Sequence, residues 1–246
     1  MNHSRSILLL HSFFFFFFFF FKAHFLTTSA QPLGCHDSNR VCSAYLYYNL
    51  SFNQSRADVA SLFTVDLSDI TPDPARKTNT QDSSQGLFIR VNCSCLIPSF
   101  SYFANSSYLS ANEMPSSDIV SGPYENLAWA QAYANTSMNS TNGIVPKGAN
   151  VPISLLCGCL DNTRDFGFLL SYVVKPNDTL SGLVTRFGSS ISSIVTLNNI
   201  SNENVLNENR VYFLPINICE FFSMSHLFQF NICEIIFPRF CLLAHT

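Results

Sequence analysis

Nine cysteines are the residues with the most chemistry to offer, and their spacing limits it. Six lie in the middle of the chain: Cys35 and Cys42, then Cys93 and Cys95 around Ser94, then Cys157 and Cys159 around Gly158. Cys219, Cys233 and Cys241 follow near the end. In an oxidising compartment six cysteines close three disulfides, and the sequence alone leaves their connectivity open. Each member of a Cys-x-Cys unit is expected to pair with a cysteine elsewhere in the chain. A zinc site using His36 is the competing chemistry. Zinc-binding cysteine pairs are usually about two to four residues apart, and exported cysteines are usually oxidised, so no metal is expected.

The acids offer little catalysis. Glu113 and Asp118 could form a glycosidase pair, but nothing marks them beyond being carboxylates. There is no Gly-x-Ser-x-Gly, and Asp161-Asn162-Thr163 and Asp178-Thr179-Leu180 lack the glycine of the aspartic-protease motif. The expectation is a non-enzyme without a cofactor.

Charge excludes another class. Residues 31–217 carry ten basic and fourteen acidic side chains, a net charge of −4, with no basic cluster. Nucleic acid and anionic membrane surfaces are therefore poor partners. The N-terminal end points to export. Arg5 precedes an apolar run over 7–21 that includes nine consecutive phenylalanines, and Thr28-Ser29-Ala30 offers small residues for cleavage. This reads as a signal peptide over 1–30, too short in its apolar part for the ~20 residues of a membrane span. Asn-x-Ser/Thr sequons at Asn49, Asn53, Asn92, Asn105, Asn135, Asn139, Asn177 and Asn199 agree with a secreted or cell-surface glycoprotein. Glycan-bearing positions should be exposed.

These residues need elements to hold them. Residues 170–175 alternate as a strand, 176–178 turn, and Asp178 or Thr179 is placed to cap a helix. Leu180, Leu183, Val184 and Phe187 make its apolar stripe, and Gly188 stops it. Ser189 or Ser190 starts a second helix with Ile191, Ile194 and Val195 on one face. The last strand, over 210–214, closes at Pro215. The same order is read upstream. Strand 45–48, helical stripe Val59, Leu62 and Phe63, second short helix 65–70 and strand 87–92 form one set. Strand 102–110, helix 116–121, second helix 127–134 and strand 150–156 form another.

Tyr172-Val173-Val174-Lys175-Pro176-Asn177-Asp178-Thr179-Leu180, with Phe187, Asn198 and Leu214-Pro215-Ile216, resembles a LysM domain, with Asn177 in place of the usual glycine. Three modules separated by Cys-x-Cys units resemble the ectodomains of plant LysM receptor-like kinases, without the kinase. The implied fold is α+β, three small βααβ modules held together by disulfides, at 43–92, 100–156 and 170–217. The departures are the seven-residue step from Cys35 to Cys42 and Met114-Pro115 where Asp-Thr is usual. The resemblance implies the pairs Cys35–Cys95, Cys42–Cys159 and Cys93–Cys157.

It also implies a ligand class: glycans containing N-acetylglucosamine, that is chitin oligomers, lipochitooligosaccharides or peptidoglycan. The middle groove would use Asn112, Glu113, Met114 and Pro115 with Thr141 and Asn142. The third would use Pro176, Asp178, Thr179 and Ile200. Plain structural roles compete: Asp178 and Thr179 fit a helix cap, Pro115 a turn, and Glu113 a solvated charge. Sequons at Asn177 and Asn199 would crowd the third groove and those at Asn135 and Asn139 one wall of the middle one; the middle groove is favoured. The chain then acts as a receptor ectodomain or coreceptor fragment, with a LysM receptor kinase as partner. The alternative is a docking partner that binds no sugar; a wall-polymer hydrolase ranks below both. Residues 218–246, with six phenylalanines and three cysteines, fit neither a membrane helix nor a glycolipid-anchor signal. They are expected to be no working domain and to come from a misread gene.

Overall fold

The computed structural model describes residues 32–51, 53–73, 86–97, 99–129, 143–160, 167–201 and 206–217. The expected signal peptide, the tail, Asn135, Asn139, Thr141 and Asn142 lie outside these residues.

Alternating side chains build the sheet. Strand β1 (Val41–Asn49) turns Ala44, Leu46 and Tyr48 into one core and Tyr47 into another. Helix α1 (Arg56–Phe63) and a single 3-10 turn, Leu67–Asp69, lead to a short strand β2 (Ile70–Pro72) and then to β3 (Gly86–Leu96). Strand β4 (Ser101–Leu109), a two-residue β5 (Met114–Pro115) and helix α2 (Ser116–Ser121) come next. A two-residue β6 (Ile144–Val145) and β7 (Asn150–Leu156) follow. The last set is β8 (Phe168–Val173), α3 (Leu180–Phe187), α4 (Ile191–Leu197) and β9 (Val211–Ile216).

Three antiparallel pairs, β1 with β3, β4 with β7 and β8 with β9, join into one sheet ordered β7-β4-β3-β1-β8-β9, with β2 also on β3. The third pair is attached by a short parallel contact, Tyr45 opposite Leu170 and Leu46 opposite Ser171. Both faces of the sheet are covered. One core includes Phe63, Ile89, Ile119 and Leu155, under α1 and α2; the other includes Tyr47, Phe88, Leu183 and Ile194, under α3 and α4.

The disulfides Cys35–Cys95, Cys42–Cys159 and Cys93–Cys157 span Cα distances of 5.9, 5.8 and 5.9 Å, ordinary for the bond. Each Cys-x-Cys unit divides its two sulfurs between different partners, and each bridge ties segments that the chain keeps apart.

Four expectations need correcting. Residues 65–70 are not one helix: only Leu67–Asp69 make a 3-10 turn, which runs directly into β2, where Ile70 pairs with Ile89. Residues 127–129 are not helical: Ala128 bridges Leu155 while Leu127 accepts from the Leu156 amide. Pro215 lies inside β9 opposite Leu169, on the sheet's edge strand, where the missing N–H leaves no ladder bond unmade. Among the described sequons, Asn53, Asn92, Asn105, Asn177 and Asn199 are exposed, but Asn49 is half-buried.

Candidate ligand-binding site

The middle turn is laced by backbone. Met114 and Pro115 pair with Val145 and Ile144, and the Ser116 amide donates to the Gly143 carbonyl at 2.9 Å. Gly143 has φ +67°, a left-handed conformation that favours glycine, and this lets the returning chain lie alongside the turn. Upstream, the buried Ser110 hydroxyl donates to the Asn112 carbonyl, while its amide and carbonyl bond Ala149 and Gly148. The lacing leaves Asn112, Glu113, Pro115 and Ile144 exposed. Met114 is different: it is half-buried and packs on the core below, next to the buried Val145. The result is a polar rim over an apolar floor.

The third turn spends the same chemistry internally. Asp178 does not cap the helix. Its Oδ2 accepts from the Lys175 amide at 2.8 Å and from the Tyr172 hydroxyl at 2.9 Å, closing the turn in which Asn177 takes φ +68°. Asparagine tolerates that region better than most residues, which explains how it stands in for glycine. Thr179 is the cap, its hydroxyl accepting from the Gly182 amide at 3.1 Å. Ile200 packs against the second core, and Pro176 is exposed. Nearby Asn198 clasps α4 to β9, donating to the Ile194 and Phe213 carbonyls and accepting from the Phe213 amide.

Two polar clusters had no signal in the sequence. Tyr47 and Arg186 both donate to the Asp73 carboxylate, at 2.9 and 3.0 Å, and Arg186 also donates to the Tyr47 hydroxyl. Asp73 and Tyr47 are buried, and the guanidinium lies over the Tyr47 and Phe187 rings at 4.8 and 4.7 Å. A Cβ on Gly86 would strike the Tyr47 hydroxyl at 1.8 Å, so glycine makes room for the cluster. Burial opposes the charge of Arg186, but the Tyr47 oxygen and the Asp73 carboxylate outweigh it and raise its pKa. The second cluster joins three segments: the Glu125 carboxylate accepts from Lys175 at 2.8 Å and from the Asn49 amide at 3.3 Å. Both clusters fasten the third strand pair to the rest.

The Cys42, Cys93 and Cys159 sulfurs lie within 4.8 Å of one another, but all three are committed to disulfides and leave no thiolate for a metal. Among the described residues no helix is long and apolar enough to cross a membrane.

Residues 172–211 match the LysM domain family model. The chain is 29% identical over 191 residues to LysM domain receptor-like kinase 3 of Arabidopsis thaliana, covering 77% of this chain and 27% of that protein. It is 26% identical over 204 residues to LysM domain-containing GPI-anchored protein 1 of the same species, covering 79% and 49%. It thus spans between about a quarter and a half of the length of these relatives. A receptor-like kinase ectodomain has the same fold, with a TM-score of 0.56 at 19% identity over 77% of this chain and 94% of that one. The LYK3 ectodomain gives 0.53 at 16% identity over 76% and 92%. Residues 172–211 carry a LysM domain, and the fold is shared with these two ectodomains.

Proposed function

We propose that this chain is an extracellular recognition unit that binds oligosaccharides containing N-acetylglucosamine through its middle turn. It acts as the outer part of a receptor or as a coreceptor fragment beside a LysM receptor kinase. The three modules are taken as residues 43–92, 100–156 and 170–217.

One observation carries the choice of site: the middle turn is fixed by backbone bonds, and the Asn112 and Glu113 side chains have no bond among the described residues. A sugar needs hydrogen-bonding groups held in place but not already satisfied, with a small apolar surface for the acetamido methyl. Asn112 and Glu113 supply the first, and Met114 and Pro115 the second. Thr141 and Asn142, which precede Gly143 in the sequence, are included in the proposed site. In the third turn Asp178, Thr179 and Ile200 have structural work, and exposed Asn177 and Asn199 would place glycans beside it. No catalytic role is proposed, because Glu113 is the only carboxylate in this set of groups.

Calorimetric titration of the secreted chain with N-acetylglucosamine oligomers tests the site. Micromolar binding is expected, with at least a tenfold loss in Glu113→Trp and Thr141→Trp variants that secrete normally. Unchanged affinity in both overturns the middle site. No binding to any oligomer favours the docking-partner reading, and release of shorter sugars favours the hydrolase.

A further inference from the structure

A groove lies away from either turn, and its walls carry two sequons. Strands β3 and β4 pair only from Ser94–Phe103 to Leu96–Ser101. Beyond that, α1 is packed against β4, with the Ser106 hydroxyl donating to the Leu62 carbonyl at 2.8 Å. A groove of about 700 Å³ opens between the strands, in the size range of ~300–1,000 Å³ that holds small ligands. Asn92 lies on the β3 wall and Asn105 on the β4 wall. Stepping the register back two residues from Ser94 and Phe103 sets these asparagines opposite each other, on one face of the sheet.

We propose that this groove seats two of the chain's own N-linked glycans, on Asn92 and Asn105. Both asparagines are exposed, and neither side chain has a hydrogen-bond partner among the described residues. Asn49 differs, since its amide is held by Glu125. The groove's polar wall is Thr64, Asp66, Asp69 and Arg90. Arg90 pairs with Asp69 and the Thr64 hydroxyl bonds Ser106, so the exposed Asp66 carboxylate and the remaining lone pairs and N–H groups of the pair are what a hydroxyl-rich occupant would meet. The fold also needs a cover there. A stretch of strand edge without a neighbour on β3 or β4 is a template for pairing with another chain, and a bulky hydrated group blocks it. The modification itself is a transfer from a polyprenyl diphosphate oligosaccharide supplied by the export pathway. The asparagine amide nitrogen bonds to C1 of the first sugar, the C1–O bond to phosphate breaks, and the lipid diphosphate leaves as the amide loses a proton.

The proposal rests on the extracellular reading above, and the test separates the two. The full chain is secreted from insect cells, its glycopeptides are mapped by mass spectrometry, and the native protein is digested with an endoglycosidase that cuts the sugar core. Glycans are expected on both Asn92 and Asn105, trimmed at least tenfold more slowly than those on Asn53 and Asn177, with the difference lost after denaturation. Ser107→Ala, which removes only the Asn105 sequon, should speed trimming at Asn92. Equal native rates, an empty Asn92 or Asn105 beside an occupied Asn53, or an unchanged Asn92 rate in Ser107→Ala overturns the groove seat alone. A chain without glycans at any sequon overturns the extracellular reading with it. Dimerisation through the groove in fully glycosylated protein would show that a second copy, and not a glycan, occupies it.

Discussion

The turns that enter α2 and α3 occupy equivalent places, each following the first strand of an antiparallel pair, yet they spend their polar groups in opposite ways. At α3, Asp178 and Thr179 bond the chain's own amides and the Tyr172 hydroxyl. At α2, Pro115 offers no side-chain cap, and the turn is held instead by pairing with 143–145. A site built from satisfied side chains is rigid but has little left for a ligand. A site fixed by backbone keeps its side chains available. Under the proposal above, the turn closest to the family pattern is not the one that binds sugar.

The largest expected effect comes from cutting the covalent link that holds the middle pair. Cys93–Cys157 ties β3 to the end of β7 across 64 residues. Replacing both cysteines by alanine should lower stability by about 2–5 kcal/mol, read as loss of secretion or as an early denaturant midpoint. Secretion and midpoint both unchanged would mean that the middle pair is held by its core alone.

Next is the fastening of the third pair. Asp73→Ala leaves Arg186 and the buried Tyr47 hydroxyl without their shared acceptor. Breaking a buried pair typically costs 3–5 kcal/mol; with Arg186 partly solvated, about 2–3 kcal/mol is expected here. Arg186→Met keeps the stem and the ring contacts and should cost less. Urea unfolding curves decide between them, and a smaller loss in Asp73→Ala would refute the assignment of Asp73 as the shared acceptor.

The contrast between the turns is sharpened by exchanging effects. Asp178→Ala strands the Lys175 amide and the Tyr172 hydroxyl, a loss of about 2 kcal/mol, with oligosaccharide affinity unchanged. Glu113→Trp should do the reverse, keeping the melting temperature and lowering affinity. A loss of affinity in Asp178→Ala at full stability would move the site to the third turn.

What the sequence conveyed follows from the range of the interaction behind each feature. Helix 116–121 and strand 150–156 were legible to the residue because local patterning sets them. Gly188, with φ +63°, ends α3 as its position implied. Residues 65–70 and 127–129 were misread because distant partners, Ile89 and Leu155, decide their conformation. Asp178 was ambiguous because a cap and a turn closure use the same residue type at nearly the same place. The Asp73–Tyr47–Arg186 cluster was invisible, since residues 26 and 113 apart meet only once the strand pairs are joined. For the middle site, Met114–Pro115 was visible as a departure from the pattern, but not its pairing with Ile144–Val145.

The smallest effect concerns the third helix entry, that of α1, which uses a capping box. The Ser55 hydroxyl accepts from the Asp58 amide, and the Asp58 carboxylate accepts from the Ser55 amide and hydroxyl. Those bonds from Ser55 hold the Asp58 carboxyl below its ordinary value of 3.8. A carboxyl whose pKa is lowered by folding stabilises above its unfolded value and loses that stabilisation as pH falls through the folded one. The α1 entry should therefore be indifferent to pH from neutrality down to the ordinary carboxylate range and fray only below it. Hydrogen exchange of the Asp58 and Val59 amides, followed from pH 6 to pH 3 with the intrinsic pH dependence removed, reads this directly. Ser55→Ala should leave those amides fast at every pH. The Gly182 amide, bonded to the neutral Thr179 hydroxyl, should show no local acid response of its own. If Gly182 opens with Asp58 as the pH falls, the loss is global and the capping box is not its source.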